Sequence, residues 1–388
     1  MSDLLELLPH QPALATLQTA AARGQLAHCL VFAGPEGSGR RTSALTVAKW
    51  LHCRAKPAAI SFCGQCRSCR LIEQDLHADL IWLRPPLFTR KDHPWLVWES
   101  HGRTDKARSD SLQVSIVQAR NLRADAATRP AEGSCKIYLL QGADLMQLEA
   151  NDTLLKILEE PPSYAYFCLI AESSAAIRPT ILSRAQVIRF LPLPHSVVAG
   201  LISEHLPAAS ARANEIATYA GGSPGLALQL AADPSLLALA DEARQVLTDC
   251  LTGDQLIALK GFPRLHTLAV QWFALRYQPP PAEAESPDEA QSEEEEVPEG
   301  PKARRLRIPA TGARLGAIQI LDLLANILRA ALREGSAEST MKHLGRPSPF
   351  VGAQALGVVS ESRAALEANA NLPSCLSTML LRIASLRA

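Results

Sequence analysis

The chain has 388 residues, 47% of them apolar, with 39 basic and 39 acidic side chains and no formal net charge. That length is long for one domain and suits two or three. A zero balance argues against a protein that holds nucleic acid by bulk charge alone, although a local basic patch stays open. No run of 18 apolar residues marks a membrane span. Met1-Ser2-Asp3-Leu4 lacks the basic and apolar pattern of an export signal, so a cytoplasmic chain with reduced thiols is the expectation.

In chain order, the apolar run Cys29-Leu30-Val31-Phe32-Ala33 reads as a buried parallel strand. Gly34-Pro35-Glu36-Gly37-Ser38-Gly39-Arg40-Arg41-Thr42 follows, and then a helical stretch through Lys49 and Leu51. The frame matches a phosphate-binding loop, G-x-x-x-x-G-K-[ST], whose backbone N–H groups cradle phosphates. The glycines Gly34, Gly37 and Gly39 are in place, but Arg40 holds the lysine position and Arg41 the position of the Mg²⁺-binding hydroxyl. A cation cannot ligate a cation, so the loop predicts a nucleotide-type fold without nucleotide hydrolysis. The plainer reading is a glycine-rich turn between an ordinary strand and helix.

Cys53, Cys63, Cys66 and Cys69 come next, spaced C-x9-C-x2-C-x2-C. Thiolates at that spacing can close on one tetrahedral zinc at about 2.3 Å, and four sulfurs leave no open position for catalysis. A structural zinc site is the expectation, because a reduced compartment disfavours disulfides. Cys29, Cys135, Cys168, Cys250 and Cys375 are scattered and read as small buried apolar residues.

Leu80–Leu83 reads as a strand. Lys91–Arg108, with Trp95, Trp98, His101 and Arg103, mixes charge and aromatic residues and defaults to a solvated loop before a helix around Gln113–Arg123. A strand at Lys136–Leu140 should end, in a working ATPase, on an acidic pair for Mg²⁺ and water. Gln141-Gly142 stands there instead, and Asp144 reads as a cap on the next helix. A helix at Leu148–Glu159, a strand at Tyr166–Ala171, another helix and a strand at Gln186–Phe190 complete an alternating pattern. Such alternation implies a parallel sheet with helices on both faces.

Leu191-Pro192-Leu193-Pro194 marks a hinge, and residues 195–230 read as a small helical lid. Helical spacing continues from Pro234 to Tyr277. Pro279-Pro280-Pro281 then opens a stretch with nine acidic residues between Glu283 and Glu299. Residues 278–305 read as a disordered insertion, too poor in apolar surface to offset the entropy of ordering. A helix at Leu315–Arg333 resumes the packing, with Ile318, Leu321, Leu324, Ala325 and Leu328 on one face. No internal repeat stands out.

Several ordered segments carry a resemblance. They are the stretch from His10-Gln11 to His28, the loop at Gly34, and Asp152-Thr153-Leu154-Leu155-Lys156-Ile157-Leu158-Glu159-Glu160-Pro161-Pro162. Ile177-Arg178-Pro179-Thr180-Ile181-Leu182-Ser183-Arg184-Ala185 and Gly221-Gly222-Ser223-Pro224-Gly225 follow. Over roughly residues 10–230 the chain is similar to the clamp-loader branch of AAA+ proteins, most closely to its bacterial δ′ type. Asp152 stands in the family's asparagine place, and Ala185 replaces the cysteine of its S-R-C signature. Gly225 lies near the place of a lid arginine that active members carry.

The resemblance implies an AAA+ αβ domain with a zinc module at 53–69 (residues 1–192), a helical lid (193–232) and an all-α collar (233–388). It implies a non-hydrolysing clamp-loader subunit of the DNA polymerase III holoenzyme, with no functional ATP site of its own. γ or τ would sit on one side and δ on the other, and the assembly would place the sliding clamp on primed DNA. Arg184 would be an arginine finger offered to the neighbouring ATPase, with Ser183 supporting it. Taken alone, Arg184 reads as a surface arginine. Two other readings exist: an active γ/τ-type ATPase, opposed by Arg40, Arg41, Gln141 and Gly142, and a stand-alone zinc-bearing nucleic-acid-binding protein, opposed by the zero net charge and the motif order.

Overall fold

The computed structural model describes residues 17–55, 62–85, 97–100, 103–106, 113–252, 255–277, 310–333 and 349–386, except 18, 21, 22 and 24. The acidic segment 278–305, expected as a disordered insertion, and most of the stretch 88–110 lie outside these residues. The chain divides into two compact units, Met1–Leu237 and Ala238–Ala388.

The first unit is built on five parallel strands: β1 (Cys29–Ala33), β2 (Leu80–Leu83), β5 (Lys136–Gln141), β6 (Ala165–Ala171) and β7 (Gln186–Arg189). Their order is β2-β5-β6-β1-β7. All pairs are parallel, with Val31 opposite both Leu169 and Val187. Every residue of β1 is buried, as expected for a central strand with helices over both faces. The chain leaves β1 for β2 at one edge and later returns to β7 on the other side of β1. The crevice at the carboxyl end of β1 is therefore a topological switch point, where ligands bind in such sheets.

The connecting helices are α1 (Arg40–His52), α2 (Arg67–Glu73), α3 (Ile116–Ala126), α4 (Leu148–Glu159) and the short α5 (Pro179–Leu182). α3 begins with a complete capping box between Ser115 and Gln118. α4 buries Ala150, Asn151, Leu154, Ile157 and Leu158, an i, i+4, i+7 stripe turned to the sheet. The default of a loop over 91–108 needs correction: Val97–Ser100 (β3) and Arg103–Lys106 (β4) pair antiparallel as a two-stranded sheet. Its charged and aromatic residues show no alternation clean enough to mark strands.

Asp79, fully buried beside β2, takes three backbone N–H groups, from Ala131 (2.6 Å), Glu132 (2.8 Å) and Gly133 (2.7 Å). Burial alone would raise its pKa, but the three donors hold the carboxyl below the usual range. Its folded pKa is thus depressed, so its contribution to stability is present above about pH 4 and lost as pH falls through the folded value. Asp79→Ala should cost about 3 kcal/mol at pH 7 in urea unfolding. The difference from the parent chain should shrink as the medium is acidified below about pH 4.

Three further helices complete this unit: α6 (His195–His205), α7 (Ala213–Ala220) and α8 (Pro224–Ala232). Ser223 caps α8, accepting from Leu226 N–H at 3.2 Å, with Pro224 at the first helical position. The division between units falls inside α9 (Pro234–Thr252). The second unit continues with α10 (Gln255–Arg276), α11 (Ala310–Arg333), α12 (Pro349–Glu367) and α13 (Leu372–Ser385). Trp272 of α10 donates to Gln319 of α11 at 3.1 Å, and Gln319 donates to the Tyr277 hydroxyl at 2.7 Å. By length and composition α11 is apolar enough to cross a membrane. Its apolar stripe, including Ile320, Leu321, Leu324 and Leu328, is buried in the unit.

Candidate functional site

The glycine loop leaves the carboxyl end of β1 and runs into α1, where the sheet topology places a ligand crevice. α1 starts at Arg40 behind a left-handed Gly39, with no side chain capping it. Lid residues lie directly on the loop. The Gly225 N–H donates to the Gly37 carbonyl at 2.9 Å. A Cβ on Gly37, whose φ is +71°, would lie 2.1 Å from Ser223 Oγ, and one on Gly225 would lie 2.9 Å from the Gly37 carbonyl oxygen. Only two glycines allow so close a backbone approach.

Arg40 is buried, and burial lowers its pKa against the attraction of Glu172, Asp144 and Glu36. The cation is thus offset by acidic groups of its own chain. Arg41 does not face the loop: its guanidinium lies over the Trp82 ring at 5.0 Å, and Arg84 lies over the same ring at 4.2 Å. Asp144 also departs from expectation. It lies in the short 3-10 turn Ala143–Leu145 and accepts from Glu172 N–H at 2.7 Å, joining the ends of β5 and β6 rather than capping α4.

Arg184 follows α5 and projects onto the exposed side of α4. Its Nη2 donates to Glu159 Oε1 at 3.0 Å, and its Nη1 donates to the Thr180 carbonyl at 3.0 Å and to Ser183 Oγ at 3.3 Å. Ser183 Oγ in turn donates to the Thr180 carbonyl at 3.0 Å. At the other end of the same turn, Arg178 Nη1 donates to Asp152 Oδ1 at 2.7 Å. These contacts lie within its own turn and on α4, and among the described residues none of them is with the glycine loop 34–42.

The four cysteines converge as their spacing predicts. Their Sγ atoms all lie within 4.8 Å of one another. A tetrahedral zinc at 2.3 Å separates its sulfurs by about 3.8 Å, so small shifts would close the shell. Cys53 is the residue after α1, Cys66 stands at the N-cap position of α2, and Cys69 lies in the first turn of α2. The Cys63 N–H donates to Cys53 Sγ at 3.4 Å and the Cys66 N–H to Cys63 Sγ at 3.3 Å. Burial opposes ionisation of Cys66, but its hydrogen bonds outweigh this and bring it down to about 6, whereas burial pushes its neighbour Cys69 up to about 12. The cluster therefore fits a metal ion by both geometry and donor chemistry. The Lys49–Glu73 ion pair also joins α1 to α2.

Residues 10–194 match the family described as DNA polymerase III, delta subunit. The DNA polymerase III subunit δ′ of Pseudomonas aeruginosa is 32% identical over 229 residues, 58% of this chain and 62% of that protein. The δ′ subunit of Bacillus subtilis is 29% identical over 211 residues, 54% of this chain and 56% of that protein. Over residues 10–194 the chain is thus similar to DNA polymerase III δ′ subunits. The chain spans about six-tenths of the length of these δ′ relatives. A γ/τ subunit of Mycobacterium tuberculosis is 27% identical over 202 residues, 52% of this chain and 31% of that protein. Among solved structures, a γ subunit-related protein of Thermotoga maritima aligns with a TM-score of 0.40 at 15% identity, covering 97% of this chain and all of that one.

Within this δ′-like segment the structure gathers the four cysteines at one place and leaves Ser183-Arg184 at another. Arg40 stays with the loop and Arg41 leaves it. Sequence reasoning missed two participants. One is the lid's seating on Gly37, although the paired Gly-Gly and Ser-Pro-Gly segments hinted at a tight turn. The other is Glu159, which no local pattern marks as the partner of Arg184.

Proposed function

We propose that this chain is the non-hydrolysing δ′-type subunit of a bacterial DNA polymerase III clamp loader, acting in the cytoplasm. It stands between a γ/τ-type ATPase and a δ subunit, and the assembly places a sliding clamp on primed DNA. Residues 1–192 form the AAA+ αβ domain, 193–232 the lid and 233–388 the collar. Cys53, Cys63, Cys66 and Cys69 hold one structural zinc. Ser183-Arg184 serves the nucleotide of the neighbouring subunit.

The observation that carries this reading is the altered chemistry of the loop, with the lid seated on it. The Gly37 carbonyl is occupied by the lid's Gly225 N–H, and Arg40 is offset by Glu172, Asp144 and Glu36. Where a working ATPase has a lysine, a hydroxyl and an acidic pair, this chain has Arg40, Arg41, Gln141 and Gly142. Those features favour it over an active γ/τ-type enzyme. Calorimetric titration of the purified chain with Mg-ATP should give no saturable heat at micromolar concentrations. A micromolar dissociation constant would overturn the non-hydrolysing assignment. Co-elution with a γ/τ-type subunit on gel filtration separates the proposal from a stand-alone nucleic-acid-binding protein.

A further inference from the structure

Asp152 and Glu159 lie seven residues apart on α4, two turns along one face. Each holds an arginine of the turn that crosses that face. Arg178 pairs with Asp152 at 2.7 Å and Arg184 with Glu159 at 3.0 Å. The first pair anchors the start of the turn and the second reaches the guanidinium itself. A guanidinium carries five N–H donors. Thr180 and Ser183 engage Nη1, and Glu159 engages one side of Nη2. Among the described residues Nε–H and one of the two Nη2–H groups have no acceptor, and Nε and Nη2 share one edge of the planar group. They form a fork that matches two oxygens of a phosphate.

We propose that Glu159 is a positioning residue for Arg184, fixing the guanidinium so that its Nε–Nη2 edge stays presented outward. This inference rests on the reading of Arg184 as a group offered to a neighbouring nucleotide. A free arginine carries a large rotamer entropy, and ordering it only when phosphate arrives would weaken its effect. Three acceptors within one turn and one helix remove most of that freedom beforehand. Orientation of this kind acts on turnover more than on ground-state binding. The carboxylate is needed here as a hydrogen-bond acceptor, so an amide at the same place should largely substitute for it.

The test uses the reconstituted complex of this chain with its γ/τ-type partner and measures single-turnover ATP hydrolysis at the site facing this subunit. Glu159→Ala should lower the rate roughly tenfold with little change in ATP affinity. Glu159→Gln, which keeps an oxygen at the same reach, should recover most of the loss. Glu159→Ala combined with Arg184→Ala should be no slower than Arg184→Ala alone. If Arg184→Ala lowers the rate and Glu159→Ala does not, the positioning role is wrong and the reading of Arg184 stands. If Arg184→Ala itself has no effect, that reading fails. Equal losses for Glu159→Ala and Glu159→Gln overturn the hydrogen-bond role. Thermal melting of each variant checks the fold, which half-exposed Glu159 should barely influence.

Discussion

On the proposed role of Arg184, Arg184→Ala should lower ATP hydrolysis at the neighbouring site by roughly 10³-fold, the lower end of what an arginine supplied in trans contributes. The loss across a whole complex should be smaller, since on that proposal its other sites are not served by this residue. The size follows from the charge distribution of phosphoryl transfer. Negative charge spreads over the equatorial oxygens, and a planar, always-protonated fork meets two of them at once. A lysine there would supply charge without the fork, so Arg184→Lys should recover only a small part.

The same change should leave the protein folded. Arg184 has about a third of its side chain exposed, and it pairs with a Glu159 side chain that is half exposed. Exposed pairs of this kind contribute roughly 0.2–1 kcal/mol. Melting temperature, zinc content and assembly should therefore stay near those of the parent chain. Ser183→Ala removes one 3.3 Å acceptor while Thr180 and Glu159 still hold the guanidinium, so its effect should be several-fold at most. Normal hydrolysis and clamp loading by complexes carrying Arg184→Ala would make Arg184 an ordinary surface arginine.

What the sequence disclosed and what it withheld divide along the range of the interactions. The strands β1, β2, β5 and β6 were legible because each is largely a short buried apolar run, whereas the edge strand β7, with Gln186 and Arg189, is only partly buried. Leu80–Leu83 and the helix Leu148–Glu159 agree with the structure to the residue. The cysteine cluster was legible because its spacing alone restricts where four sulfurs can go. Arg41 was misplaced because neighbouring helix positions differ by about 100° in direction, so a loop residue and its successor need not share a site. It went to Trp82, a contact between α1 and β2 that no local pattern encodes.

The lid's contact with the loop and the Glu159–Arg184 pair were hidden for the same reason. Gly37 and Gly225 meet only after the sheet and lid have formed, as do Glu159 and Arg184. A glycine in a sequence shows that backbone freedom or space is wanted, but not what comes close. Asp144 shows a related limit. Its residue type correctly suggested an acceptor for a backbone N–H, yet the donor is the end of the next strand rather than the next helix.

Loss of the metal centre is the second large effect expected. The purified chain should carry about one zinc by elemental analysis, and Cys66→Ser should lose it. Cys66 stands at the N-cap position of α2, and Cys69 lies in the first turn of the same helix. Cys53 is the residue that ends α1. Without the ion, the ion pair between buried Lys49 and partly exposed Glu73 still joins α1 to α2, but nothing ties Cys53, Cys63, Cys66 and Cys69 to a common centre. Four closely spaced thiols would also have to accommodate their own protons. We expect a cost of about 4 kcal/mol to the αβ unit, read as a fall of roughly 10 °C in its melting temperature. Serine is close to cysteine in size, so lost packing cannot account for a fall of that extent. Cys375→Ser, in the other unit, should retain the zinc. Because thiolates must be deprotonated to bind, a chelator should strip the metal more readily at pH 5 than at pH 8. Full zinc retention by Cys66→Ser would exclude the four-sulfur centre.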